Sequence, residues 1–225
     1  MALHLQRDLE QLKKDLLQLG YQVESAINNA IIALFERRPA LAPKIFIEEQ
    51  YINQKEVQIE ENCLKILALH QPVAVDLRFI VVVLKVNNDL ERMGDLACNI
   101  TQRALFLAAN KPIPLPPQFS QTMATSISIM VHDSLKSLVA LDAPLARGVI
   151  AMDDEVDEVN RQMYVELPAL MKTDTSTVEA AVSLLSTSRY LERIADLATN
   201  IAEEVLFMIE GEVVRHQSIV AEKAH

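Results

Sequence analysis

Apolar residues recur every three or four positions along almost the whole chain, and that spacing predicts helices. Leu5, Leu9, Leu12, Leu16 and Leu19 set the first, from about Leu3 to Arg37. Gly20 falls in its middle, where glycine costs about 1 kcal/mol relative to alanine. Pro39 and Pro43 punctuate the junction to a second helix that runs to about His70. A third runs from about Val73 to Asn110, with Pro72 near its first turn, where a missing N–H is tolerated. Lys111 to Pro117 then carries prolines at 112, 114, 116 and 117 and is expected to be extended and stiff. Beyond it the pattern predicts helices from about Phe119 to Leu141, from Pro144 to Met171 with Pro168 near the end, and from Thr175 to Ile209. Asp174 is placed to cap the last of these. Gly211 ends regular structure, and a polar tail runs to His225.

The two halves repeat one another. Leu90-Glu91-Arg92-Met93-Gly94-Asp95-Leu96-Ala97-Cys98-Asn99-Ile100 returns 101 positions later as Leu191-Glu192-Arg193-Ile194-Ala195-Asp196-Leu197-Ala198-Thr199-Asn200-Ile201, identical at eight of eleven positions. A match of that length within one chain marks an internal duplication, which fixes the architecture before any other feature is weighed. The expected fold is all-α, two tandem repeats of a three-helix bundle. Residues 1–110 form the first repeat, 111–117 the proline linker, 118–210 the second repeat and 211–225 the polar tail.

Within the repeated stretch the apolar face is Leu90, Met93, Ala97, Ile100 and Ala104. At about 100° per residue, Glu91, Asp95 and Asn99 form a separate stripe, matched by Glu192, Asp196 and Asn200. Acidic residues four apart on a helix repel by a few tenths of a kcal/mol, and both copies keep that penalty. The stripe reads in two ways. It is the solvated face of an amphipathic helix, or it is a ladder of oxygens offering a hard cation a template, completed by a neighbouring helix. The second helices carry a weaker echo, Glu49-x-x-Ile52-Asn53-x-x-Glu56 against Asp153-x-x-Val156-Asp157-x-x-Asn160, at an offset of 104. If the second and third helices of a unit pack antiparallel, these groups approach the main stripe across a groove.

Composition narrows the partners. Of 225 residues, 50% are hydrophobic and 4% aromatic, with no Trp and 4 Gly, as expected for an all-α protein with a large core. The formal net charge of −10 argues against nucleic acid and suits cations or basic protein surfaces. Cys63 and Cys98 have no metal-type spacing and read as reduced thiols in apolar runs, pointing to the cytosol. No export signal opens the chain, and the longest apolar run, Phe79 to Leu84, is far too short to insert into a bilayer.

Familiar catalytic patterns are missing. Four glycines forbid a glycine-rich phosphate loop, and no Glu-x-x-His supports a ferritin-like di-iron centre. His4, His70, His132, His216 and His225 are scattered, His132-Asp133 reads as a surface pairing, and Thr122 to Ser128 as packing residues. Arg92 and Arg193 follow the motif Glu and point about 100° away from it, towards ion pairs within or between helices. With Arg78 they are separated along the chain and do not make an anion site. No enzyme is expected.

Two helical units, the proline linker and the doubled Leu-Glu-Arg-x-x-Asp-x-x-x-Asn motif resemble the PhoU family of bacterial phosphate-signalling proteins. His70-Gln71-Pro72-Val73-Ala74-Val75-Asp76-Leu77-Arg78 strengthens the likeness, which runs from about Leu5 to Ile209. The resemblance implies a cytoplasmic homodimer of paired three-helix bundles, with neither enzymatic activity nor membrane insertion. It also implies a role in holding the phosphate-starvation response off by docking on the ATP-binding subunit of the phosphate ABC transporter and on a phosphate sensor histidine kinase. Some relatives carry metal clusters on Glu/Asp-x-x-x-Asp motifs. By position those fall on Glu91, Asp95, Glu192 and Asp196, with Glu49, Asp153 and Asp157 from the second helices and Asn99 and Asn200 as trailing amides. Leu96 and Leu197 stand where many members have His, which leaves an all-oxygen set suited to Fe, Mn or Mg rather than Zn or Cu. Asn53, where the second unit has Asp157, weakens the first site. The competing reading from the residues is a metal-handling protein whose cation load is the main function.

Overall fold

A computed structural model describes residues 2–211, with side chains from His4 onward. Six long helices account for most of them: α1 (Ala2–Phe35), α2 (Ala42–His70), α3 (Ala74–Ala109), α4 (Ala124–Ala140), α5 (Ala143–Thr173) and α6 (Val178–Glu210). No strand occurs among the described residues. The chain is all-α and built as two repeats of a helical bundle, as its periodicity predicted. The tail from 212 to 225 lies outside the described residues.

Helix ends differ in detail from the sequence reading, for local reasons. Pro72 sits two residues ahead of α3, after Gln71 has closed α2 in a left-handed turn (φ 46°). Asp142 caps α5 by accepting a hydrogen bond from the Leu145 N–H at 3.0 Å, a contact usually worth about 1 kcal/mol. Asp174 accepts from the Ser176 N–H at 2.9 Å and so caps a short 3-10 turn, Thr175–Thr177, that leads into α6. The helix foreseen from Phe119 opens instead with a π-helical stretch, Phe119–Met123. Both of its end residues are fully buried, and Phe119 meets Phe35 edge-on at 5.1 Å. Gly211, at φ +78°, closes α6 where a side chain would be strained. At the junction of the units, Arg37 donates to the carbonyls of Ala108 (3.2 Å) and Asn110 (2.6 Å), satisfying the open end of α3.

Within each unit the third helix packs on the other two, and α3 also lies along α6, while α1 touches α4. Side chains from all six helices form one contiguous core. The third helices run antiparallel: Arg78 and Lys85, early in α3, meet Met208 and Glu204, late in α6. Lys85 Nζ donates to both carboxylate oxygens of the buried Glu204 at 3.0 Å and lies 5.3 Å from the Phe207 ring centre. Arg78 stacks on the same ring and donates to the Met208 carbonyl, so it is a fastening between units. A further pair, more fully enclosed, is Lys55 to Asp15 at 2.8 Å, which ties α2 to α1.

Two close contacts explain the helical glycines that face the interior. A Cβ on Gly20 would stand 2.7 Å from Leu135 of α4, so the glycine lets α1 and α4 approach. A Cβ on Gly94 would stand 3.2 Å from two Ile52 carbons. The second unit has Ala195 and Val156 at those positions, one carbon more on the third helix and one fewer on the second. All four are fully buried or close to it. Such volume exchanges couple neighbouring core sites. In a double-mutant cycle followed by urea unfolding, Ile52→Val is expected to cost less in a Gly94→Ala background than alone, with a coupling of at least about 0.5 kcal/mol. Strict additivity would show that the two positions do not pack against each other.

Candidate functional site

On α3, Leu90, Met93, Ala97 and Ile100 are fully buried, and the helical turn carries Glu91, Asp95 and Asn99 to the side away from α1. On α6, Leu191, Ile194, Ala198 and Ile201 are buried in the same way, and Glu192, Asp196 and Asn200 face outward. Asp95 and Asp196 are exposed, while Glu91, Asn99, Glu192 and Asn200 are half-buried. The neighbouring helix of each unit closes one flank of the stripe and brings its own half-buried side chains, Glu49, Asn53 and Glu56 from α2, and Asp153 and Asp157 from α5. Each unit therefore presents an acidic groove between its second and third helices.

In the first groove, burial raises the Glu91 carboxyl above its ordinary range, and the charges of Asp95, Glu56 and Glu49 add to it against a smaller opposing pull from Arg92. Burial and then Glu49 raise Asp95. Asn53 Nδ2 donates to Glu49 Oε1 at 2.6 Å, taking up part of that carboxylate's charge. In the second groove the crowding is greater. Asp153 is pushed up to about 6, first by burial and then by Asp196, Asp157, Asp154 and Glu192. Burial followed by Asp157 raises Asp196, and burial followed by Asp196 raises Glu192. Arg189, three residues before Glu192, offers its Nε at 3.7 Å. Asp157 is thus placed amid carboxylates, whereas Asn53, its counterpart, spends its amide on Glu49.

The structure brings Glu91, Asp95 and Glu49 together in one groove and Glu192, Asp196, Asp153 and Asp157 in the other. Asn99 and Asn200 continue the same stripes a turn beyond, and among the described residues neither amide hydrogen-bonds to the carboxylates. Two further residues, Asn87 and Cys98, belong to the first groove. Asn87, fully buried, donates from Nδ2 to the Glu56 carbonyl (3.0 Å) and to Glu56 Oε1 (3.4 Å), fastening α3 to α2. Ser188 does the equivalent in the second unit, donating to Asn160 Oδ1 at 2.7 Å. Cys98 lies beside Glu49 and Asp95, and its thiol is pushed up to about 12, chiefly by burial. The signal for Asn87 was present in the sequence, since 87, 91, 95 and 99 are successive four-residue steps. Both cysteines are free.

The donor set suits a hard cation by its chemistry. Asp153 Oδ1 and Thr199 Oγ1 in the second unit, and Asn53 Oδ1 and Asn87 Oδ1 in the first, are buried oxygens with no hydrogen-bond partner, while Glu192 Oε2 has only the Arg189 guanidinium at 3.7 Å. An unpartnered buried carboxylate oxygen is costly, and a cation relieves that cost. Among the described residues no three His, Cys, Asp or Glu side chains already converge as a ligand cage. The grooves are open acidic clefts. His132 pairs with Glu24 on α1 (2.9 Å) and stands apart from both grooves.

Fold and grooves together define a class, the tandem three-helix proteins that turn a repeated acidic ladder outward from a shared core. A domain model described as the PhoU domain matches residues 16–104 and 121–205, one match per unit. The phosphate-specific transport system accessory protein PhoU homolog of Aquifex aeolicus (strain VF5) is 38% identical over 213 residues, covering 95% of this chain and 96% of that protein. The crystal structure of PhoU from Pseudomonas aeruginosa superposes with a TM-score of 0.89 at 34% identity, over 92% of this chain and 99% of that one. The phosphate transport system regulatory protein PhoU from Streptococcus pneumoniae gives 0.84 at 28% identity, over 93% and 99%. The chain belongs to the PhoU family.

The raised Asp153 carboxyl fixes the sign of a pH effect. Its folded value, about 6, lies above the ordinary 3.8, so on raising the pH through that interval the unfolded chain releases its proton first and stability falls. Asp153→Asn is therefore expected to stabilise the metal-free protein at pH 7.5 by on the order of 1–2 kcal/mol after allowance for solvent screening, and to give no gain below about pH 4. Urea unfolding in EDTA at both pH values measures this, and an equal effect at both would exclude charge crowding as the cause.

Proposed function

We propose that the protein is a non-enzymatic, cytoplasmic regulator of phosphate uptake and signalling, which keeps the phosphate-starvation response off while phosphate is plentiful. It docks on the ATP-binding subunit of the phosphate ABC transporter and on the phosphate sensor histidine kinase, as a homodimer. The observation that carries this reading is family membership along both units, with relatives named as phosphate-specific transport system accessory proteins. The formal charge of −10 favours protein partners with basic surfaces over nucleic acid. No helix among the described residues is long and apolar enough to cross a membrane. Deletion of the gene is expected to leave phosphate-starvation genes expressed at high phosphate, read by a reporter and restored by the wild-type copy. Unchanged repression in the deletion strain, or failure to capture either partner from phosphate-replete cells, would overturn the reading.

The grooves serve this regulator as cation sites. Glu192, Asp196, Asp153 and Asp157 would hold a metal in the second unit, and Glu91, Asp95 and Glu49 in the first, with the Asn99 and Asn200 amides at the trailing ends. An all-oxygen set fits Fe, Mn or Mg, and such an ion supplies positive charge that quenches the repulsion across the groove. The unpartnered Asp153 oxygen supports a second reading, in which handling the metal is itself the function. Elemental analysis of purified protein separates the two. Glu192→Ala is expected to remove more metal than Glu91→Ala, because Asn53 already satisfies part of Glu49 in the first groove. Loss of metal with repression intact makes the cation incidental to regulation, whereas loss of both makes it integral.

A further inference from the structure

The outer end of the first unit holds a cavity of about 380 Å³ between the start of α1 and the end of α2. Its charged and amide lining comprises His4, Arg7, Asp8 and Gln11 from α1, and Asn62, Lys65 and His70 from α2. Four of these seven can carry positive charge, in a chain whose formal charge is −10. The one carboxylate is engaged on two sides, Asp8 Oδ2 by His70 Nε2 at 3.1 Å and Oδ1 by Arg7 at 3.4 Å. His70 is thereby held against α1. Lys65 and His4 make no hydrogen bond or ion pair among the described residues.

The duplication supplies an internal comparison. The second unit has a cavity of about 450 Å³ at the corresponding end of α5, lined by Pro114, Pro116 and Pro117 of the linker where the first unit uses α1. At the offset of 104, Ala169 replaces Lys65, Glu166 replaces Asn62 and Asp174 replaces His70. Its one charged lining residue is Glu166. A cavity recurs at the same place in both repeats, and only the first has gathered cationic groups there.

We infer that the cavity bounded by Arg7, Lys65, His4 and His70 binds a small phosphate-type oxyanion. Guanidinium, ammonium and amide N–H groups together supply the donors that a tetrahedral anion accepts, and the volume falls in the range of roughly 300–1,000 Å³ typical of small-molecule sites. Asn62 contributes a neutral donor, and Asp8 keeps the His70 ring oriented. Free phosphate and the phosphoryl group of a larger molecule share this chemistry. The inference rests on the cavity alone and stands apart from the acidic grooves, which lie on the middle of α3 and α6.

Calorimetric titration of the full-length protein in EDTA, with inorganic phosphate and with 5′-AMP in parallel, tests it. EDTA removes cations that would bridge phosphate to the grooves, so the result is independent of the metal reading. One saturable site per chain is expected. Lys65→Glu and Arg7→Glu, both at exposed positions, are each expected to weaken it about tenfold or more, the scale of one charge-assisted hydrogen bond. Lys172→Glu, at the matching end of the second unit, should leave it unchanged. Tighter binding of inorganic phosphate identifies the free ion, and tighter binding of 5′-AMP identifies a phosphoryl group carried by a larger molecule. Binding of neither probe, two sites per chain, or affinity unaffected by both Lys65→Glu and Arg7→Glu would overturn the inference.

Discussion

The buried apolar face of each third helix, α3 and α6, is the constraint on which the rest depends. Leu90, Met93 and Ile100 on one helix, and Leu191, Ile194 and Ile201 on the other, are all fully buried. Each such side chain gains about 1.5–3 kcal/mol on leaving water, while neighbouring acids on a helix face repel by only a few tenths. The apolar arc therefore dictates how each helix is rotated, and the carboxylates accept whatever surroundings that rotation gives them. Because helical geometry fixes the angle between arc and stripe, every acid of the ladder is delivered to the outer side at once.

Electrostatic crowding in the grooves follows from the same packing. The second helix of each unit must lie close to the third to bury Ile52 or Val156, and in doing so it brings Glu49 or Asp153 towards the ladder. The protein holds like charges together because the apolar contacts beneath them are worth more. Such a groove is a place of stored repulsion, lowest in energy when something positive enters or a proton is retained, and the raised Asp153 carboxyl records that state.

The repeats have kept their packing and let their polar chemistry diverge. Asn87 to Glu56 becomes Ser188 to Asn160, a clasp between the same helices with different groups. Asn53 relieves Glu49 in the first unit, whereas Asp157 adds charge in the second. Cys98 beside the first groove has become Thr199. At the outer end, Lys65 and His70 face α1 in one unit, while Ala169 and Leu170 face the proline linker in the other. Packing residues are constrained by volume, so they change in compensating pairs such as Gly94–Ile52 and Ala195–Val156. Groove and cavity residues meet solvent and are free of that constraint, which leaves room for two different chemistries on one scaffold.

The helices, the duplication and the acidic ladder could be read along the chain, because each is periodic or repeated and needs no knowledge of distant contacts. Four-residue steps placed Glu91, Asp95 and Asn99 on one stripe, and the offset of 101 doubled it. Proline chemistry marked the break at the linker, and glycine at 211 the end of α6. What faces the ladder is set by packing between helices. That Asn53 bonds Glu49, that Asp153 is the most crowded carboxyl, and that Asn87 clamps Glu56 depend on how far α2 and α5 slide along their partners, which side-chain volumes set. The antiparallel seam joined by Lys85 and Glu204 has no local signature, since its partners are 119 residues apart. The cationic cavity was hidden for the same reason, because Arg7 and Lys65 become neighbours only when α1 and α2 pack side by side.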